Sequence, residues 1–153
     1  MSRVGEMRNL IVCILLLLIS AQSAPAGWIL GETAYKRGDF ATAFREWLTL
    51  AQDGNIEAQY NIGVMYSQGQ GVSRDMASAA LWWEKAALQG DKRGQNNIAN
   101  LYRDGLGVAK DLGKAVHWFK DAAARDYPAA QYDLGMLYQS GQGVAKVSSP
   151  ACL

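Results

Sequence analysis

Two glycines that bracket a single residue are the first feature of this sequence that could carry chemistry. Gly69-Gln70-Gly71 lies within the stretch YSQGQGVSRD (66–75), and a glycine pair of this kind can cradle a phosphate with its backbone N–H groups. A dinucleotide-binding fingerprint also needs a preceding strand, a third glycine and a helix that starts directly after it. Because the third glycine is missing and a helix is predicted before the loop, the pattern does not predict a nucleotide site.

The other side chains that could do chemistry are isolated along the chain. His117 is the single histidine, and without a second histidine or a nearby thiolate it does not indicate zinc; we expect it on an outward helix face. The serines lack a histidine partner that spacing would single out, and the chain has no S-x-x-K motif. The acidic residues form no paired-carboxylate arrangement. The sequence therefore predicts no catalytic residue, no metal site and no cofactor.

The charge balance argues against binding of nucleic acid. The chain has 153 residues, of which half are apolar, and it carries 15 basic and 14 acidic residues. This length and composition suit one compact domain. A nucleic-acid binder would show a basic stripe, and this nearly neutral chain has none.

The N-terminus predicts a secretory signal peptide over residues 1–26. Two arginines precede the apolar run 10–19, and Ala24-Pro25-Ala26 provides the small-residue recognition triplet, with cleavage expected after Ala26. The run is shorter than the ~20 residues of a membrane-spanning helix. We therefore expect a periplasmic or secreted bacterial protein. The alternative is an uncleaved anchor, in which case contact with the membrane is confined to this segment.

Cleavage would change the charge and the cysteine content only slightly. Removal of Arg3, Arg8 and Glu6 leaves 13 basic and 13 acidic residues of the original 15 and 14. Cys13 would be lost with the signal, so Cys152 is the only cysteine expected in the mature chain. No internal disulfide can then form, although an oxidising compartment would be tolerated.

The strongest signal in the sequence is a period of 36 residues. The segment AQYNIGVMYSQGQGV (58–72) recurs as GQNNIANLYRDGLGV (94–108) and as AQYDLGMLYQSGQGV (130–144), always at an offset of 36. A second part of the repeat has the same period and begins at the aspartates of positions 39, 75 and 111. A period of this length indicates stacked supersecondary units that bury one continuous core.

Each unit predicts two short helices. Apolar or small residues recur at helical spacing in both parts of the unit, first at Ala58, Ile62, Met65 and Tyr66, then at Ala79, Trp82, Trp83, Ala86 and Ala87. The repeated aspartates precede the second helices, where a carboxylate can cap the first turn, and Pro128 suits the first position of the last helix. The glycine loops are predicted helix ends, because glycine adopts positive φ without a Cβ clash. We expect small residues to let the helices approach while tryptophan fills the gap between neighbouring units.

The combined pattern resembles the Sel1-like repeat, which is a tetratricopeptide-like α/α repeat with a longer loop between its helices. In one copy the residues that carry the resemblance are Ala58, Ile62, Gly63, Tyr66, Gly69, Gly71, Val72, Asp75, Ala79, Trp82, Trp83, Ala86 and Ala87. The resemblance covers roughly residues 28–144 and implies an all-α solenoid of about three and a half helical hairpins. The expected units are 28–54, 55–90, 91–126 and a partial 127–144. The first unit, LGETAYKRGDFATAFREW (30–47), lacks the long glycine loop and looks more like an ordinary tetratricopeptide repeat.

The same resemblance implies a non-enzymatic scaffold that binds a protein or peptide of unknown identity in a concave groove. In tetratricopeptide-like repeats the groove positions lie three before, one after and four after the small residue at the helix crossing. Carried onto this sequence, these positions are Tyr60, Val64, Ser67, Asn96, Asn100, Arg103, Tyr132, Met136 and Gln139. The alternative for each of them is a merely solvated helix position. An envelope adaptor and a host-facing or regulatory protein would use the same groove.

One enzymatic alternative also follows from the resemblance. A cysteine-rich branch of the family has been linked to β-lactam binding or hydrolysis, and its hallmark is a cysteine pair in each repeat. This chain has no such pairs, which makes the scaffold the preferred hypothesis.

The last repeat departs from the pattern. After Val144 an aspartate is expected at position 147, but the chain reads AKVSSPACL, which predicts an irregular tail over 145–153. The helix predicted over 129–139 would then expose the apolar face that carries Leu134, Leu137 and Tyr138. A truncated or frame-shifted reading, cover by a partner or a second copy, and a tolerated rough edge would each account for this face.

Overall fold

The computed structural model of the protein describes residues 26–142, and these residues form seven helices and no strand. The helices are α1 Ala26–Lys36, α2 Phe40–Gln52, α3 Ile56–Gln68, α4 Met76–Leu88, α5 Lys92–Asp104, α6 Leu112–Ala123 and α7 Pro128–Gln139. Residues 1–25 of the predicted signal peptide, both cysteines and the predicted tail lie outside this range.

Every extensive helix–helix contact within residues 26–142 joins helices that are consecutive in the chain. Helices α1 and α2, α3 and α4, and α5 and α6 form three hairpins, and α7 is the first helix of a fourth. Contacts between nearest neighbours are the defining property of a solenoid. The predicted all-α solenoid of about three and a half hairpins is therefore confirmed.

The second helix of each hairpin begins after the predicted aspartate. The carboxylates of Asp39, Asp75 and Asp111 accept hydrogen bonds of 2.9 to 3.1 Å from backbone N–H groups of the following turn. These bonds satisfy donors that a helix start leaves free. Helix α7 begins at Pro128, as predicted.

The first helices have caps that we did not predict. The side chain of Asn55 accepts from the backbone of Ala58 at 2.9 Å, and Asp91 accepts from the backbone of Arg93 at 2.8 Å. Tyr127 occupies the corresponding position before α7 and makes no side-chain cap. Because asparagine and aspartate differ in sequence, the 36-residue self-comparison did not pick out this position.

The glycine loops end the first helices and also join each unit to the unit before it. Gly69 ends α3 with a left-handed φ of +71°, which glycine adopts without strain. The second glycine of the loop, Gly71, lies directly against the carbonyl group of Phe40 at the start of α2, where no Cβ would fit. Gly107 contacts Met76 at the start of α4 in the same way. The predicted turn is confirmed, and the loop is also an interface between units.

A tryptophan fills each complete glycine-containing hairpin. The ring of Trp83 lies on Gly63, and a Cβ at Gly63 would be only 2.5 Å from Cδ1 of that ring. The ring of Trp47 covers Gly31 in the first hairpin in the same way. Trp83 also belongs to the buried cluster that contains Ile98 of the next unit. Trp83 therefore lies on the partner helix of its own hairpin and belongs to a core that continues into the next unit.

The repeated glutamine forms a bridge between units. The side-chain amides of Gln59, Gln95 and Gln131 donate hydrogen bonds of 3.1 to 3.2 Å to the main-chain carbonyl group eight residues earlier. Each carbonyl group belongs to the last turn of the preceding second helix, where it also accepts a hydrogen bond of 2.9 to 3.1 Å from the backbone N–H three residues later. This bond explains why glutamine recurs with the same period as the core.

One prediction for the last helix is wrong. Leu137 is only 4% exposed, because it packs in the cluster that contains Phe119 of α6. Leu137 corresponds to Leu101 one period earlier, and that residue is also 4% exposed. Leu134 is half-buried, and Tyr138 is exposed as predicted.

Candidate peptide-binding groove

The nine predicted groove residues lie three each on α3, α5 and α7. Within each helix they are four and then three residues apart, a spacing that places them on one side of the helix. The surface that carries these positions on successive first helices is called the groove face below.

A cavity of about 380 Å³ lies on the groove face between α1 and α3 and is called the α1–α3 pocket. It is lined by Trp28, Glu32, Tyr35, Lys36, Trp47, Tyr60, Asn61 and Val64. Tyr60 and Val64 are predicted groove residues, and the structure brings them together with side chains of α1.

The contribution of α1 was missed at the level of sequence, although a signal for it exists. Trp28, Glu32 and Tyr35 lie three before, one after and four after Gly31. These are the offsets that select the groove positions in the later units. The structure shows that Gly31 is the small residue of its hairpin because it lies under the ring of Trp47.

The wall of the pocket is a set of packed aromatic rings. Trp28 stacks on Trp47 with 5.5 Å between ring centroids, and the ring of Tyr35 lies 5.3 Å from that of Trp47. The hydroxyl group of Tyr35 donates to Oε1 of Gln70 at 3.0 Å. These contacts are favourable arrangements of aromatic pairs, and together they position the rings of Trp28, Tyr35 and Trp47 in the wall of the pocket.

A guanidinium group covers the next aromatic ring of the groove face. The central carbon of Arg93 lies 4.2 Å from the ring centroid of Tyr60, which is a cation–π contact. Arg93 also donates to both carboxylate oxygens of Glu57, at 2.8 and 2.6 Å, and to Oδ2 of Asp91 at 2.6 Å. The hydrogen bonds to Glu57 and then to Asp91 raise the pKa of Arg93 above its ordinary value. Burial raises the pKa of Tyr60, which remains a neutral phenol near pH 7.

The middle of the groove face is polar and largely hydrogen-bonded. Asn96 is only 8% exposed, and its Oδ1 atom has no partner among residues 26–142. Asn100 donates from its side chain to the carbonyl group of Asn96 at 2.9 Å. Arg103 pairs with Asp104 at 2.8 Å and with Asp133 at 3.3 Å, and these bonds raise its pKa. Arg103 is therefore oriented by two carboxylates, which also balance its charge.

The remaining predicted groove residues differ in exposure and in hydrogen bonding of their side chains. The hydroxyl group of Ser67 donates to the carbonyl group of Val64 at 2.8 Å and is engaged within its own helix. Tyr132 and Met136 are 69% and 49% exposed, and Gln139 is exposed as well. Helix α7 thus presents the most accessible apolar side chains of the groove face.

No second kind of site is visible in the part of the chain that the structure covers. His117 is exposed, as predicted, with its ring 5.1 Å from that of Trp118. Residues 26–142 contain no group of three or more histidine, cysteine, aspartate or glutamate side chains that could hold a metal ion. In the same range no helix is long and apolar enough to cross a membrane.

The fold and its repeated groove positions define the class of protein, an α/α helical-repeat scaffold. The Sel1 repeat pattern matches residues 56–91, 92–127 and 128–150. These matches cover more than half of the chain, which therefore belongs to the Sel1 repeat family. Sel1 repeats generally mediate interactions between proteins.

Two solved bacterial structures share both sequence and fold with this chain. A Sel1 repeat protein from Oxalobacter formigenes is 32% identical with a TM-score of 0.72, over 77% of this chain and 49% of its own length. A protective antigen present in uropathogenic Escherichia coli strains, which displays an SLR fold, is 33% identical with a TM-score of 0.75, over 86% of this chain and 29% of its own length. The chain thus spans about half the length of the first relative and under a third of the second.

A third structure supports the fold alone. Cysteine-rich protein B of Helicobacter pylori is 24% identical with a TM-score of 0.58, over 60% of this chain and 69% of its own length. A comparison with curated proteins gives no significant match.

Proposed function

We propose that this chain is a non-enzymatic scaffold that binds an extended segment of a partner protein along its groove face. The α1–α3 pocket carries the proposal, because half of its eight lining residues are aromatic and two of the eight, Tyr60 and Val64, are predicted groove positions. Binding sites of proteins are typically concave and apolar with a few polar groups that fix orientation. The pocket has this character, because Glu32, Lys36 and Asn61 lie among its aromatic side chains.

The rest of the groove face supports the same function. Beyond the pocket it offers amide and guanidinium groups at Asn100 and Arg103, and then exposed apolar side chains at Tyr132 and Met136. An extended peptide that crosses successive first helices would meet an apolar anchor, polar groups for its backbone and a second apolar anchor. Aromatic and arginine side chains are the residues that dominate binding energies at protein interfaces.

We also propose that the protein acts in the bacterial envelope or after secretion. The support is the signal-like sequence of residues 1–26, together with the likeness to an Escherichia coli protein described as a protective antigen. An envelope adaptor and a host-facing role remain the two forms of this proposal. Cell fractionation, followed by mass spectrometry of the N-terminal peptide, tests whether cleavage occurs after Ala26.

Site-specific photo-crosslinking tests the groove. A photoreactive phenylalanine analogue replaces Tyr132 or Val64 in the producing bacterium, and Leu81 or Leu88 in matched controls on α4. Leu81 and Leu88 are exposed apolar residues on a second helix, off the groove face. We expect one protein adduct shared by positions 64 and 132 and absent from the controls. Equal labelling at all four positions would contradict binding along the groove face.

The alternative function, binding or hydrolysis of β-lactams, gains no support from the structured repeats. The likeness to the cysteine-rich protein of Helicobacter pylori is a likeness of fold. We expect purified protein to hydrolyse nitrocefin no faster than buffer does. Turnover that scales with protein concentration would establish the enzymatic alternative.

A further inference from the structure

We propose that the α1–α3 pocket is a subsite for one arginine side chain of the bound peptide. This inference rests on the proposed function, because the arginine would belong to the peptide bound along the groove face. Three observations support it. They are the contact of Arg93 with the equivalent ring of the next unit, the carboxylate of Glu32 in the pocket, and the weak pairing of that carboxylate with Lys36.

In the next unit, a guanidinium of the chain itself covers the ring that is equivalent to Trp28. Tyr60 lies three residues before Gly63, as Trp28 lies three residues before Gly31, so the two rings occupy equivalent positions. Arg93 covers the ring of Tyr60 at 4.2 Å. Arg93 lies six residues before the small residue of its own helix, Ala99.

The position that Arg93 occupies in the third unit is occupied in the second unit by a carboxylate and not by a guanidinium. Six residues before Gly63 the chain has Glu57, and this carboxylate pairs with Arg93. Within residues 26–142, the cation–π contacts involve other rings than those of Trp28 and Tyr35. The pocket therefore has the aromatic surface of the internal arrangement without a guanidinium on it, and its lining cation, Lys36, makes no cation–π contact with these two rings.

The carboxylate of the pocket can accept hydrogen bonds from a guanidinium. Glu32 lines the cavity together with Trp28, the amide of Asn61 lies on the opposite helix, and Lys36 is the cationic residue of the lining. A guanidinium is planar, so it can stack on a ring while two of its N–H groups donate to a carboxylate in its own plane. A lysine ammonium group is a compact point charge, which can make neither the planar stack nor the two parallel hydrogen bonds to one carboxylate. A phenylalanine ring would desolvate Glu32 without replacing its hydrogen bonds, which is unfavourable.

The present partner of Glu32 is easily displaced. Lys36 donates to Oε1 of Glu32 at 2.6 Å, but Lys36 is largely exposed, Glu32 is half-exposed, and the two are four residues apart on one helix. Exposed pairs of this kind contribute little to stability. A bound arginine can therefore take over the carboxylate, and loss of Lys36 should strengthen binding.

The test uses short peptides that report on the pocket without requiring the natural partner. The protein is titrated with blocked Gly-Arg-Gly, and with matched peptides in which arginine is replaced by citrulline, lysine or phenylalanine. The indole N–H signals of Trp28 and Trp47 are followed by NMR, with that of Trp118 on α6, which belongs to a different buried cluster, as the internal control. We expect saturable shifts of the two pocket signals with arginine, and binding weaker by roughly tenfold or more with citrulline, which has the same shape but no charge.

Two variants test the role of the carboxylate. Glu32→Gln should lower the affinity for the arginine peptide by about tenfold, and Lys36→Met should raise that affinity by roughly two- to fivefold. Asp121→Asn on α6, distant from the pocket in the solenoid, is the matched charge control and should leave affinity unchanged. Circular dichroism of each variant checks that the fold is retained.

Three results would overturn the arginine subsite. They are equal affinity for the phenylalanine peptide, undiminished binding by folded Glu32→Gln, and unmoved Trp28 and Trp47 signals in the presence of the arginine peptide. The crosslinking experiment separates this proposal from the proposed function. Partner adducts at positions 64 and 132 without an arginine response reject the subsite alone. An arginine response with equal labelling on and off the groove face rejects binding along the groove but retains the pocket.

Discussion

The indole ring of Trp83 lies on Gly63 and donates its N–H to the carbonyl group of Tyr60 at 3.2 Å. The ring is buried in the core, whereas Tyr60 lines the α1–α3 pocket. One contact between the two helices of a hairpin therefore sets the position of a groove residue. Substitutions in the core of this protein should for this reason affect both stability and binding.

The close contact at Gly63 predicts a sharp difference between two glycine-to-alanine substitutions. In Gly63→Ala the new Cβ would meet the ring of Trp83 at 2.5 Å, and such overpacking costs about 1–3 kcal/mol of unfolding free energy. At Gly135 nothing lies within 4 Å of the corresponding Cβ. Gly135→Ala should therefore be neutral or stabilise by up to ~1 kcal/mol, because alanine is the better helix former. Urea unfolding of both variants measures the difference, and equal effects would contradict the assigned contact.

A strained aspartate predicts a stabilising substitution. Asp126 has a φ of +54°, and the equivalent positions of the two preceding units are Gly54 and Gly90. Asp126→Gly relieves the strain, so we expect a gain of about 0.5–1 kcal/mol in unfolding free energy. Gly54→Ala is the matched control: its Cβ would meet nothing within 4 Å, so backbone strain alone should destabilise it by about 1 kcal/mol. A loss of stability in Asp126→Gly would show that the aspartate side chain has a role of its own.

Removal of the repeated glutamine should lower the free energy of unfolding by different amounts in different units. Gln95 is buried and donates to the carbonyl group of Ala87, whereas the equivalent Gln131 is exposed and donates to Ala123. Gln95→Ala should cost about 1–2 kcal/mol, because it removes a packed side chain together with its bond. Gln131→Ala should stay within about 0.5 kcal/mol of the parent protein. Thermal unfolding followed by circular dichroism distinguishes the two, and equal losses would argue that burial has no influence on this bond.

The ion cluster around Arg93 predicts part of the acid sensitivity. Burial raises the pKa of Asp91, but hydrogen bonds from Arg93 and from the backbone N–H groups of Gly94 and Arg93 outweigh it and hold the pKa below the ordinary 3.8. Because the folded-state pKa is the lower one, this carboxylate stabilises the protein above about pH 4 and loses its contribution as the pH falls through the folded-state pKa.

The variant Asp91→Asn should therefore lose stability at pH 6 and show a weaker pH dependence below pH 4 than the parent protein. Asp121→Asn, for the matched control, should follow the parent curve. Urea unfolding between pH 2 and pH 6 provides the measurement. A parallel curve for Asp91→Asn would place the acid sensitivity elsewhere, for example at Asp104, whose pKa is lowered by its hydrogen bond from Arg103.

The caps of the second helices and the turns of the repeat could be predicted from the sequence. The caps at Asp75 and Asp111 and the turn at Gly69 were predictable, because each depends on groups within a few residues of the chain. The burial of Leu137 could also be inferred from its equivalence to Leu101, although we predicted it on the exposed apolar face of the last helix. Leu137 is buried because α7 packs on α6, a contact that the pattern of α7 by itself does not reveal.

The candidate site was less predictable than the fold. The tetratricopeptide offsets placed Tyr60 and Val64 on the pocket wall, yet Trp28, Glu32 and Tyr35 were overlooked because the first unit lacks the glycine loop that defines the period. The buried side chain of Asn96 and the cover of Tyr60 by Arg93 depend on contacts between successive helices. Self-comparison of a sequence has no access to such contacts.

The sequence by itself determined the period, the two helices of each unit and the residues that begin and end them. The physical reason is that helical periodicity, capping bonds and positive-φ turns are local interactions. The tertiary structure was needed to show that the loop of Gly71 rests on the preceding unit, and that α1 and α3 together enclose a pocket. Both features arise when neighbouring units stack, so they belong to pairs of repeats and not to any single one.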